Sequence, residues 1–502
     1  MSEGPRSYRY QKILEHLAGA IEMGVYRHGD RLPSVRQLMT TEGVSQSTAV
    51  RVLVELEARG LALSRKRSGF FARRLAGVKT FGPETGTLDI PGPTRSSQDP
   101  HPVDIHDLIQ DLFKAFRTPG LIALGVAEVA KNLLPTAELT AAMKRAVKVH
   151  GPSIYNPPDP HGVPELRRAV AAFLQRRGLS VSGDDVLITA GETDAMAIAL
   201  RALTQPGDAV AVESPTYFGI LREIQEAGLR AIEIATHPTT GIDVDELVRA
   251  VDEKNVRAVV LNPTFENPFG CCMEPDALRA IAEAMARRSI PVIEDDVYSD
   301  LNFRDKPVKA LASFDIAGNA VYCGSFSKIL SPGLWVGWCI PGKYAAVIQD
   351  TQVRLPTAVS TLSQYTLLEY LNGRRYAKHC SRLSDIFLKQ RDQVRKLIKD
   401  AFPPGSTATN PEGGFLFWIE IPPPFDAMDY YRRALLLGVS IAPGPIFSAS
   451  NRFTTCFRLS VGGKLTPEIK NAIRVLGKLA QDIVAEKSHH PDARSRAASD
   501  RR

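Results

Sequence analysis

Short β-rich runs alternate with amphipathic helical segments through the centre of this 502-residue chain. Five such runs, rich in valine, alanine and isoleucine, lie at residues 186–189, 209–212, 256–261, 291–293 and 320–323. Strands joined by helices usually pair in parallel and carry helices on both faces of their sheet. We therefore predict an α/β fold with a mainly parallel sheet, whose ligands bind beyond the carboxyl ends of the strands.

The composition is that of a globular chain with more than one domain. Hydrophobic residues make up 44% and charged residues 23%, and no apolar run is long enough to span a bilayer. Residues 1–6 contain no apolar stretch of the kind that a signal peptide needs. None of the six cysteines has metal-ligand spacing, and the adjacent Cys271 and Cys272 cannot easily bridge each other. We expect a reducing, cytoplasmic setting and no metal site.

Positive charge is concentrated at the N-terminal end of the chain. Residues 1–75 hold 13 lysines and arginines against 7 acids, an excess of +6 in a chain whose net charge is +7. A solvated basic face is the plain interpretation of such an end. A compact basic module beside a nearly neutral body favours a nucleic-acid-binding surface instead.

The same 75 residues have the pattern of a winged helix-turn-helix. Apolar residues recur at helical spacing in a first helix: Tyr10, Ile13, Leu14, Leu17 and Ile21. We expect Ser34 to cap a short second helix and Ser45 a third helix that extends to residue 58. Two short strands follow at residues 61–65 and 70–73, joined by a basic tip. Such a module lays its third helix in the major groove of DNA and its wing against the backbone.

Residues 31–38, 43–48 and 60–61 resemble the signature of the GntR family of bacterial repressors. The resemblance implies that Arg36, Ser47 and Thr48 contact DNA and that Gly69 lies in the wing. The exposed side of the third helix and the basic wing tip complete the predicted DNA-binding set: Arg36, Ser45, Gln46, Ser47, Thr48, Arg51, Lys66, Arg67 and Gly69. Gln46 stands where the family often has arginine, so the base read there differs, because glutamine pairs with adenine and arginine with guanine.

Two further segments interrupt or end the folded parts. Residues 76–104 contain repeated proline, glycine and serine and lack apolar periodicity, which is typical of a flexible linker. We expect the large domain to span residues 105–486 and a disordered tail to span residues 487–502.

Lys328 follows the apolar run 320–323, within Ser325-Phe326-Ser327-Lys328. A lysine in this place can form a Schiff base with a carbonyl cofactor, while Ser325 and Ser327 hold the cofactor's phosphate. The run through Leu334 resembles the segment around the pyridoxal phosphate (PLP) lysine of the fold-type I aminotransferases. Trp335 stands where those proteins usually carry the arginine that clamps the phosphate.

A second candidate for holding phosphate is Gly191-Glu192-Thr193, which follows a strand and opens a helix. Backbone N–H groups at a helix N-terminus can cradle a phosphate with help from the helix dipole. Glu192 is unusual there, because its charge opposes that of the phosphate.

Four residues are candidates for the ring end of the cofactor. Tyr217 can stack on the ring, although an isolated tyrosine is more often core. Asn267 can donate to the phenolate oxygen, or it is a simple turn residue. Asp295 beside the pyridine nitrogen would keep that nitrogen protonated, and Tyr298 could bind the same phenolate as Asn267. A Mg²⁺ site at residues 294–296 is the competing interpretation, but no phosphate-loop motif accompanies it.

The resemblance to fold-type I aminotransferases extends from about residue 105 to 485. Tyr155 lies in a stretch like their early motif, whose tyrosine often reaches the phosphate in a neighbouring subunit. Arg458, in Cys456-Phe457-Arg458-Leu459-Ser460, matches the late motif whose arginine grips a substrate carboxylate. The guanidinium suits that role because it can bind a carboxylate through two hydrogen bonds, whereas a structural salt bridge is the alternative.

A GntR-like module joined to an aminotransferase-like domain resembles the MocR subfamily of bacterial transcription regulators. The resemblance implies an N-terminal winged helix-turn-helix plus a large fold-type I PLP-dependent aminotransferase-like domain, forming a homodimer. It implies PLP as cofactor, operator DNA and a small amino compound as partners, and no membrane association. We expect a PLP-dependent DNA-binding transcriptional regulator, in which an effector amine displaces Lys328 from PLP and reorients the winged helices.

Other functions stay open on the sequence alone. An active aminotransferase acting on amino acids would use the same lysine, and a repressor could bind DNA regardless of PLP. Trp335 leaves three outcomes: PLP binds more weakly, another basic residue replaces the arginine, or the site is an unoccupied scaffold.

Overall fold

A computed structural model describes residues 10, 13–14, 17–18, 30–58, 61–65, 69–72, 88–97, 99–156, 158–304, 306–355, 358–373 and 375–489. The chain divides into two compact units, residues 1–86 and 87–502. Within the described ranges, no helix is both long and apolar enough to cross a membrane.

The helices of the smaller unit form as their apolar spacing predicts. Its described elements are α1 (Val35–Glu42), α2 (Gln46–Ala58), β1 (Ala62–Arg65) and β2 (Gly69–Ala72). Ser34 caps α1, because its hydroxyl accepts from the amide of Gln37 while the Gln37 side chain accepts from the amide of Ser34. A buried core joins the first helix to α1 and α2: Ile13, Leu14, Leu17, Leu38, Ala49, Val52, Leu53 and Leu56.

The wing of this unit is a small antiparallel sheet. β1 and β2 pair throughout, from Ala62 opposite Ala72 to Arg65 opposite Gly69. The segment around Leu32 pairs with the free edge of β2, where the amide of Leu32 donates to the carbonyl of Phe70 at 2.9 Å. The predicted winged helix-turn-helix is confirmed for the residues described. Lys66 and Arg67, at the predicted wing tip, lie outside the described residues.

The larger unit is a three-layer arrangement of helices on a central sheet. Its helices are α3 (His106–Phe116), α4 (Thr136–His150), α5 (Pro164–Leu174), α6 (Glu192–Leu203), α7 (Phe218–Glu226), α8 (Val244–Glu253), α9 (Pro275–Arg288), α10 (Ala345–Arg354), α11 (Thr361–Leu371), α12 (Arg375–Ala401), α13 (Ala427–Leu436) and α14 (Pro467–His489). Apolar side chains on the two faces of the sheet belong to separate buried clusters. The central strands are therefore buried on both sides, as expected for a parallel sheet covered by helices.

The strands of the larger unit form one main sheet and smaller ones. They are β3 (His101–Pro102), β4 (Ile122–Ala123), β5 (Leu187–Thr189), β6 (Ala209–Ser214), β7 (Arg230–His237), β8 (Gly241–Ile242), β9 (Val256–Leu261), β10 (Val292–Asp296), β11 (Ala320–Ser325), β12 (Gly337–Ile340), β13 (Thr407–Ala408), β14 (Leu416–Glu420), β15 (Val439–Ser440), β16 (Ala442–Pro443) and β17 (Cys456–Ser460). The main sheet has the order β3-β7-β6-β9-β10-β11-β12-β5, with β8 paired to β7.

The predicted mainly parallel sheet is confirmed. β7, β6, β9, β10 and β11 all pair in parallel. Between β11 and β5 the structure inserts β12, which is antiparallel to both and which the sequence pattern did not predict. Since β5, β10 and β11 end at one edge of this sheet, the loops that follow them lie together. A second, antiparallel sheet of order β13-β14-β17-β16 presents Arg458 from β17.

The segment at residues 88–104 differs from the flexible linker expected over residues 76–104. Its described residues lie along the larger unit, where the amides of Thr94 and Ser97 donate to carbonyls of β7 at 3.1 and 2.7 Å. β3 then pairs antiparallel with the same strand. Hydroxyl and backbone hydrogen bonds hold this segment, so it needs no apolar periodicity. Likewise α14 continues through residue 489, beyond the start of the tail expected at residue 487.

Candidate functional site

The predicted DNA-contacting residues of the smaller unit cluster at the start of α2 and on α1. Ser45, Gln46 and Ser47 are exposed or half-buried at the first turn of α2, and Arg36 is exposed on α1. The Ser45 hydroxyl accepts from the amide of Thr48 at 3.3 Å, which fixes this turn.

Further along α2, an aromatic ring supports one predicted contact. The guanidinium of Arg51 lies over the ring of Tyr10, 4.6 Å from its centroid, on the exposed side of the helix. Gly69 begins β2 with φ +100, a backbone conformation that side chains disfavour. A polar helix start, two arginines and a glycine-initiated wing form a surface suited to a DNA groove.

Lys328 lies in the turn after β11, at the edge of the main sheet. Its Nζ donates to the carbonyl of Ala127 at 3.1 Å. Burial opposes the lysine charge, but Tyr217, Tyr298 and Glu128 favour it, and the pKa of Lys328 lies above its ordinary value. The free lysine is therefore held as a protonated donor.

Ser325 and Ser327 form the turn that presents this lysine. The amide of Ser327 donates to the Ser325 hydroxyl at 3.0 Å, and that hydroxyl donates to the carbonyl of Val336 at 3.2 Å. The Ser325 hydroxyl is thus engaged within the turn, where it fixes the position of Lys328.

Asp295 lies at the end of β10 with an unsatisfied carboxyl group. Asp295 is buried, and its Oδ1 has no hydrogen-bond partner among the described residues. Burial raises the pKa of Asp295 well above its ordinary value, the charges of Glu192, Asp296 and Glu213 add to this, and Lys328 opposes it. A ligand group that donates a hydrogen bond and carries positive charge would satisfy this carboxyl.

Tyr298, two residues after β10, is a second unsatisfied group. Its ring is buried against Phe415, and its hydroxyl has no partner within the described part of the chain. Burial raises the pKa of Tyr298 to about 12, so the hydroxyl is a neutral donor at physiological pH. Asp295 and Tyr298 together fit a protonated ring nitrogen and a ring oxygen, the two polar groups of a PLP ring.

Arg458 is fully buried and already oriented. Its Nη1 donates to Oδ1 of Asn267 at 2.7 Å and its Nη2 to the carbonyl of Gly125 at 2.8 Å, while its Nε has no partner among the described residues. Asn267 is fixed in turn, because its backbone amide donates to Oδ1 of Asn262 at 2.8 Å. Burial lowers the pKa of Arg458, and the nearby Tyr298, Tyr217 and Glu266 partly oppose this shift. The structure thus brings Asn267 and Arg458 together in one network, as a site that binds both a ring oxygen and a carboxylate would require.

Gly191, Glu192 and Thr193 lie at the N-terminus of α6, next to the Lys328 turn. Gly191 has φ +91 and precedes the helix. The Glu192 side chain is only 6% exposed, and its Oε1 has no partner among the residues described. The Thr193 hydroxyl donates to Oε2 of Glu192 at 3.4 Å. A carboxyl group therefore occupies the helix terminus that was predicted to cradle a phosphate.

The remaining candidates are less buried than Asp295, Tyr298 and Arg458. The ring of Tyr217 is half-buried and packs against Phe218, with ring centroids 4.7 Å apart. Trp335 has φ +49 and is 65% exposed. Tyr155 is 83% exposed. An exposed tyrosine agrees with a residue that serves a neighbouring subunit, which the family resemblance implied for Tyr155.

The three consecutive acids at residues 294–296 do not converge on one point. The Glu294 carboxylate accepts from the amides of Leu311 and Ala312, and Asp296 accepts from Arg177 at 2.9 Å. Alternate strand residues point to opposite faces, so Asp295 lies on the other face from Glu294 and Asp296, and those two carboxylates are bound by different partners. No group of three or more metal-binding side chains occurs in the described ranges. The Mg²⁺ interpretation of this segment therefore finds no support in the geometry.

Several contacts around the site could not be found from residue types. The carbonyls of Ala127 and Gly125 hold Lys328 and Arg458, and a backbone carbonyl carries no signal in a sequence. Asn262 links two candidates, because its Nδ2 donates to the Asp295 carbonyl at 2.7 Å while its Oδ1 holds Asn267. Its place directly after β9 was the one available clue.

Two family models match the chain. The model of aminotransferase class I and II matches residues 123–476, and that of bacterial regulatory proteins, gntR family, matches residues 9–72. The uncharacterized HTH-type transcriptional regulator YdcR of Escherichia coli K12 is 32% identical over 475 residues, 94% of this chain and 99% of that protein.

Two solved structures resemble the aminotransferase part. Kynurenine aminotransferase of Pyrococcus horikoshii, in complex with PMP, has a TM-score of 0.70 and 26% identity, covering 75% of this chain and 94% of the enzyme. LysN, the alpha-aminoadipate aminotransferase of Thermus thermophilus, has a TM-score of 0.68 and 26% identity, covering 75% and 95%. The regulator matches nearly the whole chain and the enzymes three quarters of it. The chain therefore belongs to the aminotransferase class I and II family and carries a gntR-family DNA-binding unit, the combination that defines regulators of the MocR type.

Proposed function

We propose that this protein is a PLP-dependent DNA-binding transcription regulator whose aminotransferase-like unit senses PLP, an amino compound, or both. The observation that carries the proposal is that Oδ1 of Asp295 and the hydroxyl of Tyr298, near Lys328, are buried without hydrogen-bond partners among the described residues. Burying such groups unpaired costs free energy, which a ligand that binds both of them would offset. The exposed start of α2 supports the DNA-binding half of the proposal.

When bound, PLP supplies a carbonyl for amine capture and an electron-withdrawing ring. Asp295 would accept a hydrogen bond from the ring nitrogen, and Tyr298 and Asn267 would donate to the ring oxygen. The face of Tyr217 would cover the ring. Lys328 holds a proton at Nζ in the ligand-free chain and must release it before the amine acts as a nucleophile.

A carboxylate on the effector would be bound by Arg458. This guanidinium donates a hydrogen bond to the side chain of Asn267, so one ligand can reach both the ring-binding residues and the arginine. The unpartnered Nε gives Arg458 a donor that no described residue uses. We therefore expect the effector to be an amino acid or a related amino compound with an acidic group.

We also propose that the protein works as a homodimer in the cytoplasm, where operator DNA lies. Apolar side chains are exposed on α4 and in the turn that follows it: Met143, Val147, Val149 and Tyr155. A surface of this kind favours association with a second copy. Ligand binding would change DNA affinity only as far as the two arrangements of the dimer differ in ligand affinity.

An active aminotransferase is the second candidate. The presence of Lys328 together with the oriented Arg458 favours it, because these are the groups that amine transfer between carboxylic acids needs. Steady release of a keto acid from an amino acid donor, abolished in Lys328→Ala, would support this activity.

The first experiment compares the wild type with Lys328→Ala in two assays. We expect a saturable visible absorption band on titration with PLP in the wild type and none in the variant. Affinity for a double-stranded site selected from a random DNA pool should change with PLP in the wild type alone. Arg36→Ala is the matched control, which should lose DNA affinity and keep the band. Absence of a band in the wild type with excess PLP would contradict the cofactor half of the proposal.

A further inference from the structure

The phosphate end of the cofactor site differs from its ring end in charge. At the ring end, Oδ1 of Asp295 and the hydroxyl of Tyr298 lack partners among the described residues and suit the ring. At the phosphate end, α6 begins with a carboxyl group, and Trp335 stands where an arginine would be expected. Both differences act in the same direction, because each leaves the site less favourable to a dianion.

Glu192 is a buried group at the first position of α6, the helix end that was predicted to cradle a phosphate. Its Oε1 is unsatisfied within the described ranges, and its side chain is 6% exposed. Its charge acts on Asp295, and the charge of Lys328 acts on it, so the carboxyl lies within electrostatic reach of both. A negative group at the first position of a helix also satisfies the helix dipole that would otherwise attract a phosphate.

Arg222, an arginine whose charge acts on Glu192, does not replace the missing clamp. Arg222, on α7, uses Nε and Nη2 to bind Oε1 of the adjacent Glu223, at 3.1 and 2.8 Å. This ion pair is internal to α7, and the charge of Glu223 opposes that of Arg222 at Glu192. The Ser325 hydroxyl, a second expected phosphate ligand, is engaged with Val336.

We propose that Glu192, with Trp335 in place of an arginine, removes most of the affinity that a phosphate would add, so that the site binds the unphosphorylated vitamin B6 ring nearly as tightly as the phosphorylated one. Glu192 is thus a specificity-determining residue. This inference rests on the proposed cofactor site, since it assumes that the ring end binds the ring.

The test measures calorimetric dissociation constants for pyridoxamine phosphate and pyridoxamine, which need no covalent bond to Lys328. In the wild type we expect the two constants to agree within about tenfold, because like charge offsets the phosphate contacts. At pH 8, where the wild-type carboxyl is charged, Glu192→Gln keeps the shape and removes the charge, and should tighten pyridoxamine phosphate by about tenfold more than it changes pyridoxamine. Trp335→Arg should add a similar gain, again for the phosphorylated form alone.

Two controls make the outcomes separable. Glu253→Gln removes an exposed carboxyl group from α8, away from the Lys328 site, and should change neither constant. Retained pyridoxamine binding in each variant shows that the ring end is still folded. The inference is overturned if the wild type prefers the phosphorylated form by about a thousandfold, or if Glu192→Gln leaves that preference unchanged. If neither ligand binds the wild type or a variant that combines Glu192→Gln with Trp335→Arg, the proposed cofactor site itself fails.

Discussion

Glu192 shows how one buried side chain can change the chemistry of a shared site. Burial raises the pKa of Glu192 to about 7, with Glu223 adding to the shift and Lys328, Thr193 and Arg222 opposing it. The folded chain therefore keeps a proton on Glu192 at a pH where the unfolded chain has lost it. Since the unfolded value is 4.5, the stability that this proton provides is lost as pH rises from about 4.5 through 7.

This linkage predicts a pH-dependent effect of Glu192→Gln on the ligand-free protein. At pH 8 the wild type carries the cost of a buried charge that the variant lacks, so the variant should be more stable by up to about 3 kcal/mol. Near pH 5 the carboxyl is neutral in the folded chain, and the difference should fall below about 1 kcal/mol. Denaturant unfolding of the larger unit at both pH values measures this change, and an equal difference at both would contradict it.

The affinity for pyridoxamine phosphate should follow the same titration. Binding of a phosphate favours protonated Glu192, so affinity should fall as pH rises through about 7 more steeply in the wild type than in Glu192→Gln. The comparison between variants isolates Glu192 from the other titrating or charged groups near it: Lys328, Asp295, Arg222, Glu223 and Cys323.

At the scale of elements, local patterns predicted those parts of the fold that local forces determine. The apolar stripe of α2 predicted a helix with Val52 and Leu53 inside, because burial of one face decides such a helix. β12 was missed because four residues cannot show a period, and its pairing with β5 and β11 joins distant parts of the chain. The edge segment at residues 88–104 was missed for a similar reason, since its hydrogen bonds go to strands 120 or more residues later.

The cofactor site divides in the same way. Lys328 and Asp295 were predicted because rare side-chain types come at the ends of strands whose carboxyl ends meet at one edge, and Arg458 was predicted because its stretch resembles the late aminotransferase motif. The engaged Ser325 hydroxyl and the carbonyls that hold Lys328 and Arg458 depend on tertiary packing, which no spacing encodes.

The cap of α1 gives a prediction at this scale. Ser34→Ala removes the acceptor for the Gln37 amide and should lower the free energy of unfolding of the smaller unit by about 1 kcal/mol. Thr40→Ala on the same helix, whose hydroxyl bonds to the carbonyl of Arg36, is the matched control. Denaturant unfolding followed by circular dichroism compares the two variants, and equal losses would contradict the assignment of Ser34 as the cap.

At the scale of the whole molecule, DNA binding and PLP binding are coupled if PLP changes the affinity for the operator. Thermodynamic linkage then requires the operator to change the affinity for PLP by the same factor. We expect this factor to lie between about 5 and 150. PLP titrations with and without saturating DNA, beside DNA titrations with and without PLP, measure both.

Arg36→Ala separates coupling from nonspecific effects of DNA. The variant should bind PLP normally, and added DNA should leave its PLP affinity unchanged, because the exposed arginine lies on the DNA-binding unit alone. A factor of one in the wild type, in either pair of titrations, would contradict coupling between the DNA-binding and PLP-binding sites.

The anchoring of Arg458 has a consequence for how selective an effector site can be. A free arginine side chain has about 2 kcal/mol of rotamer entropy to lose on binding. Asn267 and Gly125 already restrain Arg458 in the ligand-free chain, so this side chain lost its rotamer entropy during folding. The conformational entropy that binding still costs is that of the ligand. A stiff acid should therefore bind more tightly than a flexible acid with the same polar groups, and the rigidity of the effector becomes part of what the protein recognises.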